Sequence, residues 1–400
     1  MSKTRLAAID FGTSKIVTLV AENSSNTRCD IIGIGIAPYA GYVPEGWNEP
    51  EKLDEAITAS VRDAEKQLRG TGITEISAGV PAAFTKVYAS DATITLKGTE
   101  PRVTPADVNN AIATAENKIK EQLPMGVILH SSPAWFRVDG ERKTLEPVGK
   151  KGRELTVLIS VVIADKFFVD EVTSRLTNLN LTVANFYSSA VGEAMLVLPP
   201  EERDRTAVLV DIGYLTTDVM IAEGDAVIYL KTIEMGGGNI SADLAMGLNI
   251  RMEEAEDKIK RQYIYGIDTG DTYEVGGAGG TPVQTFTREQ VSEVLIPRVD
   301  EIAEEIQKAI AESGINLNKG SSIYLTGGGL SFNRGGRDYL AGKLGRPVRE
   351  PAKHTTSLNS HSYTSSLGLM DLIIDQLEVD KQRSASGGKL KQFFTGLFRG

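Results

Sequence analysis

The sequence predicts an α/β fold of two lobes, with a small α+β subdomain inserted into the first lobe. Three observations support this prediction. Residues 5–17 and 207–219 follow one plan: an apolar strand, an Asp-x-Gly turn with hydroxyl side chains, and a second strand. A short apolar strand leads into a glycine-rich turn at 323–329. Between the two similar segments, residues 83–163 have the texture of a separate strand, helix and two-strand block.

The composition is that of a soluble globular protein with several domains. The chain has 400 residues, too many for one hydrophobic core, and its net charge of −10 argues against nucleic acid as a partner. The single cysteine, Cys29, allows no internal disulfide and suggests a reducing compartment. His130, His354 and His361 lack metal-site spacing, so we expect them to be structural. We expect neither a signal peptide nor a transmembrane span, because no suitable apolar run is present.

Periodicity and turn residues predict the elements of the first half in order. After the first hairpin come a helix at 52–68 and a strand at 75–80. The inserted block then holds a strand at 87–96, a helix from Thr104 to about residue 121, and strands at 126–139 and 154–164. Thr104 is the expected N-cap of its helix, because Pro105 follows it. Helices at 165–176 and 189–198 return the chain to the first lobe.

The second half begins with the second Asp-x-Gly hairpin. We expect a third strand at 226–233, a glycine turn at 235–239, and helices at 240–247 and 252–262. The glycine-rich stretch 276–280 is expected to be a solvent loop, since no strand feeds it and no helix follows it directly. A long helix at 287–310 contains Pro297, the strand 323–326 leads into the triple glycine, and a closing helix runs from 366 to about 377.

The two hairpins carry the residue types that bind a nucleoside triphosphate. Glycine lets backbone N–H groups approach phosphate oxygens, and hydroxyl and ammonium groups add donors. The two aspartates would hold Mg²⁺ largely through water. The predicted ATP phosphate-binding residues are Asp10, Gly12, Thr13, Ser14, Lys15, Asp211, Gly213 and Thr216, with Asp10 and Asp211 as the magnesium residues.

The C-terminal segment predicts a membrane anchor. Residues 380–388 have the composition of a flexible linker, and residues 389–400 form a basic amphipathic helix with one apolar face. Such a face usually packs on a core, but a short basic helix behind a linker better suits a membrane interface. The predicted membrane residues are Lys389, Leu390, Lys391, Phe393, Phe394, Leu397, Phe398 and Arg399. One tail should bind anionic lipid weakly, and many tails on a polymer firmly.

The order of these elements resembles the fold shared by actin, Hsp70 chaperones and sugar kinases, and in detail the chain resembles the FtsA family of bacterial cell-division actin homologues. Residues 10–15 resemble its first phosphate loop, 128–140 with 147–155 its inserted subdomain, 187–194 its first connecting helix and 323–329 its adenosine loop. The basic amphipathic tail resembles the membrane anchor of the family. The resemblance covers essentially the whole chain.

The resemblance implies a division into actin-like subdomains. These are 1A (1–82, 164–203 and 354–379), the inserted 1C (83–163), 2A (204–233 and 314–353) and 2B (234–313), followed by the linker (380–388) and the amphipathic helix (389–400). It also implies an adenosine site formed by Gly236, Gly237, Gly238, Asn239, Glu256, Lys260, Gly327, Gly328 and Gly329. The alternative for Glu256 and Lys260 is a solvated surface pair worth a few tenths of a kcal/mol.

The function that the resemblance implies is an ATP-binding division protein at the cytoplasmic face of the cell membrane. Its partners would be further copies of itself, anionic lipid, other division proteins, and the C-terminal peptide of the tubulin-like protein FtsZ, received by subdomain 2B. The helix at 252–265 is a candidate for that contact.

Two departures from the family pattern bear on chemistry. Tyr214 and Leu215 stand where relatives usually have glycines, which narrows the approach to the γ-phosphate. Phe186 stands where superfamily ATPases often place an acidic residue that orients water, with Leu181 and Thr182 close to the actin-type position. We therefore predict slow or negligible hydrolysis and assign no catalytic residue.

Other functions fit the sequence less well. A sugar or acid kinase would need a catalytic base beside a substrate pocket, and no candidate is linked to a phosphate loop. A chaperone would need a large peptide-binding domain, whereas only about twenty residues follow the closing helix. A non-polymerising scaffold, such as the cytoplasmic platform protein of type IV pili, is the nearer rival.

Overall fold

The computed structural model describes residues 5–23, 29–43, 45–70, 72–123, 125–267, 270–277, 282–318, 320–330, 333–351, 358 and 360–385. The chain divides into two compact units. The first unit comprises Met1–Ala207, Met220–Leu230 and Ser365–Gly400, and the second comprises Val208–Val219 and Lys231–Thr364.

The first half of the chain alternates strands and helices, in line with the predicted α/β class. The elements are β1 (Arg5–Phe11), β2 (Lys15–Asn23), β3 (Cys29–Pro38), β4 (Tyr42–Val43), β5 (Gly46–Trp47), α1 (Pro50–Glu65), β6 (Glu75–Val80), β7 (Thr85–Thr95), α2 (Pro105–Ile119), β8 (Gly126–Val138), β9 (Glu154–Asp165), α3 (Lys166–Asn178), β10 (Thr182–Ser188), α4 (Ser189–Val197) and α5 (Pro200–Arg203).

The second half continues in the same manner. The elements are β11 (Ala207–Ile212), β12 (Thr217–Glu223), β13 (Ala226–Ile233), α6 (Gly237–Leu248), α7 (Met252–Glu254), β14 (Thr272–Val275), β15 (Gln284–Thr287), α8 (Arg288–Glu312), β16 (Ile323–Thr326), α9 (Gly336–Leu344), β17 (Val348–Arg349) and α10 (Thr364–Ala385).

Two five-stranded sheets share one topology. The first has the order β10-β6-β1-β2-β3, in which β1–β2 and β2–β3 are antiparallel while β6 is parallel to β1 and to β10. The second has the order β17-β16-β11-β12-β13, in which β16 is parallel to β11 and to β17. Each sheet therefore contains three consecutive strands. The first of these pairs with a later parallel strand, which in turn pairs with another parallel strand. The sequence predicted that the turns within residues 5–17 and 207–219 are similar, and the structure shows that the two sheets that contain them are similar as well.

The core of the first unit joins its sheet to α1 and α3. Leu53 and Ile57 of α1 and Phe168 of α3 are fully buried in one cluster with Phe11 of β1. The spacing of the α1 residues by one helical turn gives that helix its apolar face. Each such side chain contributes about 1.5–3 kcal/mol through burial.

The predicted inserted block is a subdomain with its own core. Its antiparallel sheet has the order β7-β9-β8, and α2 packs on β7 and β9. Thr104 caps α2 as predicted, because its hydroxyl accepts the Asp107 N–H while the Asp107 carboxylate accepts the Thr104 N–H. Phe136 and Val157 are buried in the cluster beneath the helix.

The tip of the β12–β13 hairpin is grouped with the first unit because it contacts this inserted subdomain. The buried Ser160 hydroxyl donates to the Val227 carbonyl at 2.6 Å, and the Asp225 N–H donates to the Ala134 carbonyl at 3.2 Å. Lys143 forms an ion pair with Glu223, and both side chains are mostly buried.

The structure differs from the predicted elements at several places. Strand β10, the β14–β15 hairpin and α9 were not predicted. Helix α6 begins at Gly237 rather than at residue 240. The predicted linker is wrong for residues 380–385, because α10 continues to Ala385. Those residues include Lys, Gln, Arg and Ala, all good helix formers, and no glycine or proline.

Several predicted segments lie outside the described residues. They include the amphipathic helix 389–400 with all its membrane residues, the last part of the linker, His354 and residues 278–280. In the part of the chain that is described, no helix is long and apolar enough to cross a membrane.

Candidate functional site

The first Asp-x-Gly turn is a tight connection between β1 and β2. The Gly12 N–H donates to the Lys15 carbonyl at 3.0 Å, which closes the turn. Thr13 is buried, while Ser14 and Lys15 are partly exposed. A Cβ at Gly12 would lie 2.9 Å from the Lys15 carbonyl oxygen, so glycine permits the closure. The predicted phosphate residues of this turn are thus brought together.

Two serines that the sequence analysis missed hold the carboxylate of Asp10. Ser189 Oγ donates to Oδ1 at 2.7 Å, and Ser366 Oγ donates to Oδ2 at 2.8 Å. The two serines lie near the starts of α4 and α10. A carboxylate has about four acceptor sites, so each oxygen keeps capacity for a further donor. This arrangement fits the water shell of a hydrated magnesium ion.

Helices α4 and α10 cross closely enough to fix both serines. A Cβ at Gly192 would lie 2.5 Å from the Gly368 carbonyl oxygen, so the two backbones touch through their glycines. A Cβ at Gly79 would lie 3.1 Å from Asp10 Oδ1. Gly192, Gly368 and the serines at the helix starts are visible in the sequence. Their role in holding Asp10 follows only from the crossing of α4 and α10 in the structure.

The second turn repeats the geometry of the first. The Gly213 N–H donates to the Thr216 carbonyl at 2.8 Å, the counterpart of the Gly12 bond. Thr216 is buried and Asp211 partly buried. The Thr217 hydroxyl that follows donates to the Met235 carbonyl at 2.7 Å, which ties this turn to the glycine turn before α6.

Both later glycine turns pack onto the backbone of the second turn. The Gly237 N–H donates to the Gly213 carbonyl at 2.9 Å, and the Gly238 N–H donates to the Tyr214 carbonyl at 2.6 Å. The Gly329 N–H donates to the Ile212 carbonyl at 2.7 Å. The second unit thereby gathers most of the predicted adenosine residues around one loop, including Gly236, Asn239, Gly327 and Gly328.

Glu256 and Lys260 form a buried pair rather than a solvated one. The Lys260 side chain is 2% exposed, and its ammonium donates to Glu256 at 2.7 Å and to the Gly237 carbonyl at 2.9 Å. The Ser241 hydroxyl also donates to Glu256, at 2.5 Å. The alternative of a surface contact is therefore wrong. Lys260 connects its helix to the first turn of α6.

The winding of the chain places this pair. After α7, residues Ala255–Ile259 form a π-helical turn and Lys260–Gln262 a 3₁₀ turn. Such π turns frequently occur at functional sites. The Asn333 amide donates to the Lys260 and Tyr263 carbonyls where the 3₁₀ turn ends.

Burial and attraction act in opposite directions on the pKa values of the pair. Burial raises the pKa of Glu256, but the Lys260 ammonium and the hydrogen bonds outweigh it, so the pKa is lowered overall. Burial also lowers the pKa of Lys260, and here it outweighs the attraction of Glu256.

Asp218 is a further residue that sequence reasoning did not single out. Burial, with a smaller contribution from the charge of Asp211, raises its pKa to about 7, against a hydrogen bond from Thr232 at 2.6 Å. Asp218 is the second aspartate of the segment 207–219, and this position is the signal by which the sequence could have identified it. A carboxyl with such a pKa beside a phosphate loop is a functional candidate.

Two family models specific to one kind of division protein match the chain. The model described as cell division protein FtsA matches residues 208–368, and the model of the SHS2 domain inserted in FtsA matches residues 83–163. Together they cover more than half of the chain. The chain belongs to the FtsA family. The inserted strand, helix and two-strand subdomain of this FtsA-family protein is accordingly an SHS2 domain.

Curated relatives extend the similarity over most of the chain. FtsA of Neisseria meningitidis is 26% identical over 377 residues, covering 91% of this chain and 89% of the relative. FtsA of Pseudomonas aeruginosa is 26% identical, covering 81% and 77%, and FtsA of Escherichia coli is 22% identical, covering 96% and 94%.

Solved structures confirm the actin-like α/β fold. The PilM–PilN type IV pilus biogenesis complex contains a chain with a TM-score of 0.61 at 17% identity, covering 91% of this chain and 97% of that chain. MreB5 of Spiroplasma citri bound to AMPPNP has a TM-score of 0.55 at 11% identity, covering 96% and 100%. A family model for the type IV pilus assembly protein PilM also matches residues 141–272.

In this FtsA-family chain, the strand that precedes the first connecting helix has an apolar rather than an acidic character. Phe186 lies on β10 and packs against the core cluster of the first unit. The seven residues of β10 include no acid. Leu181 is buried just before this strand, and Thr182 is its exposed first residue.

Two of the three histidines, His130 and His361, lie among the described residues. Burial lowers the pKa of His130 to about 4, so this side chain on β8 is neutral near pH 7. His361 Nε2 lies 3.9 Å from Glu350. Among the residues that the structure describes, no group of three His, Cys, Asp or Glu side chains could hold a metal ion. The magnesium assignment to Asp10 and Asp211 stays a prediction.

Proposed function

We propose that this protein binds Mg-ATP, polymerises, and holds the tubulin-like protein FtsZ at the cytoplasmic face of the cell membrane at the division site. The observation that carries the proposal is the SHS2 subdomain in the first lobe of an actin-like fold, matched over residues 83–163 by the FtsA-specific model. Sugar kinases and Hsp70 proteins share the fold class, but the model that matches the insert is that of the SHS2 domain inserted in FtsA.

The chain's own residues would bind Mg-ATP by their shapes and charges. The Gly12 turn offers backbone donors, a threonine and a serine hydroxyl, and the Lys15 ammonium to phosphate oxygens. Asp10, oriented by two serines, would accept bonds from magnesium-bound water. The turn at Gly213 would serve the phosphates, and the glycine turns beside it the adenosine. When bound, Mg-ATP would supply negative phosphate charge, and neighbouring segments would close around it.

Hydrolysis would be slow. Orienting an attacking water requires a hydrogen-bonding side chain, and the phenyl ring of Phe186 has none. We therefore assign ATP the role of a ligand that favours polymer formation. A steady turnover of many ATP per minute would contradict this role.

Polymerisation would make a weak membrane anchor effective. Each basic residue near an anionic leaflet contributes about 1 kcal/mol, and a short helix must fold as it binds. A single tail would therefore bind reversibly, whereas tails on one filament would raise each other's effective concentration. Subdomain 2B, residues 234–313, would receive the FtsZ C-terminal peptide.

A recruitment assay tests the tethering function. Vesicles containing anionic lipid are mixed with labelled FtsZ, Mg-ATP and either the full chain or a chain ending at Gly388. We expect FtsZ on the vesicles only with the full chain, and none when FtsZ lacks its C-terminal peptide. Equal recruitment by both chains would refute the proposal that the tail is the anchor.

A non-polymerising platform is a second candidate function. It is favoured by the PilM family match and by the structural similarity to the chain in the PilM–PilN complex. A platform would bind nucleotide and membrane without forming filaments. Electron microscopy of the full chain with Mg-ATP on lipid monolayers separates the two, because only the first candidate predicts filaments.

A further inference from the structure

Tyr214 lies within the predicted nucleotide-binding surface of the second unit. The residue follows Gly213 in the second turn, and its carbonyl accepts the Gly238 N–H at 2.6 Å. Its ring lies on Gly238, since a Cβ at that position would be 2.9 Å from the ring atoms Cε1 and Cζ. The ring therefore covers a glycine that the family resemblance assigns to adenosine.

The charge of a second residue assigned to adenosine acts on the phenol. Burial raises the pKa of Tyr214, and the negative charges of Glu256 and Glu253 raise it further. Glu256 is already engaged by Lys260 and Ser241.

Residue 238 has no space for a Cβ. Gly238 is the second residue of α6. The space for a Cβ is taken by the ring and the carbonyl of Tyr214, both at 2.9 Å. The ring and the backbone carbonyl of Tyr214 thus both favour glycine at position 238.

We propose that the Tyr214 ring is a built-in occupant of the nucleotide surface, so that a nucleoside triphosphate binds only after the ring leaves Gly238. This inference rests on the proposed binding of ATP. The ring is half-buried, so its packing on Gly238 is favourable but reversible. When only a fraction of molecules has the ring displaced, the apparent dissociation constant rises by the inverse of that fraction.

Affinity measurements on matched variants test the competition. Mg-ATP is titrated into the full chain by calorimetry, as wild type, Tyr214→Ala and Tyr214→Phe. We expect Tyr214→Ala to bind about tenfold more tightly, because no ring must move. Tyr214→Phe keeps the ring and should match the wild type within about twofold. Thermal unfolding without nucleotide checks that each variant is folded.

A spectroscopic readout follows the ring itself. Fluorotyrosine is incorporated, and the Tyr214 fluorine resonance is identified as the one missing from Tyr214→Phe. Saturating Mg-ATP should move this resonance toward its solvent-exposed position. An unchanged resonance on ATP binding would overturn the inference.

The outcomes separate this inference from the proposed function. If neither the wild type nor Tyr214→Ala binds Mg-ATP, the proposed ATP binding fails and the inference fails with it. If the two bind equally, ATP binding stands and the competition is refuted. If Tyr214→Ala binds more weakly while Tyr214→Phe is unchanged, the ring is a stacking platform for the base, and the competition is again refuted.

Discussion

Replacing Lys260 by methionine tests whether the buried pair connects the predicted adenosine residues. Methionine keeps the apolar stem but removes the ion pair to Glu256 and the bond to the Gly237 carbonyl. Removing one partner of a buried pair costs about 3–5 kcal/mol. The Glu256 side chain is 18% exposed and keeps Ser241, so we expect the lower end, about 3 kcal/mol.

Arg261 provides a matched control because it bonds the same carboxylate from a more exposed position. Its Nε lies 3.3 Å from Glu256, and its side chain is 55% exposed. Arg261→Met should therefore cost at most about 0.5 kcal/mol. Lys260→Met combined with Glu256→Gln should recover part of the loss, because no unpaired charge is then left buried.

Two assays measure the effect. Urea unfolding gives the change in the free energy of unfolding, and hydrogen exchange with mass spectrometry shows where protection is lost. Protection should fall in α6 and in the segment that contains Lys260, because the bond to Gly237 joins them. If Lys260→Met is no more destabilising than Arg261→Met, the role assigned to the pair is wrong.

Three further changes test other parts of the structure. Asp218→Asn should raise the free energy of unfolding by about 2–4 kcal/mol at pH 8 but by less than about 1 kcal/mol at pH 4, in urea titrations. The pKa of this carboxyl is about 7 in the folded protein and 3.8 in the unfolded chain, so its ionisation destabilises the fold as pH rises from about 4 to 7. A difference between the two proteins that does not depend on pH would contradict this reasoning. Lys143→Met should cost about 1–2 kcal/mol and expose the β12–β13 tip to exchange, whereas Lys151→Met, whose ion pair is exposed, should cost at most about 0.5 kcal/mol. Ser366→Ala should weaken Mg-ATP binding about fivefold in calorimetry, because one carboxylate oxygen of Asp10 loses its hydrogen bond. An equal loss of ATP affinity in the presence of EDTA would show that magnesium is not involved.

Local patterns predicted the fold well where periodicity and turn chemistry were strong. The strand at 75–80, the cap at Thr104 and the strand at 323–326 agree with the structure. Strand β10 was missed because its central Ala-Asn interrupts the β-branched and aromatic pattern, while its pairing with β6 supplies the stabilisation.

Residues of the site that depend on distant contacts could not be predicted. Asp10 and Ser366 are 356 positions apart, and only the crossing of α4 and α10 brings them together. The family resemblance assigned Glu256 and Lys260 to the adenosine site, but their spacing of one turn in a charged helix left a solvated surface pair open as the alternative. Its burial follows from the change to π and 3₁₀ winding, which no periodicity signals.

Sedimentation with anionic liposomes, with and without Mg-ATP, tests whether this protein is an ATP-dependent polymer held on the membrane by its C-terminal tail. It compares the full chain with a chain ending at Gly388. We expect co-sedimentation that requires the residues after Gly388 and is strengthened several-fold by Mg-ATP, because polymers present many tails. Equal sedimentation of the two chains, or tail-dependent binding that is indifferent to nucleotide, would contradict an ATP-dependent polymer held on the membrane.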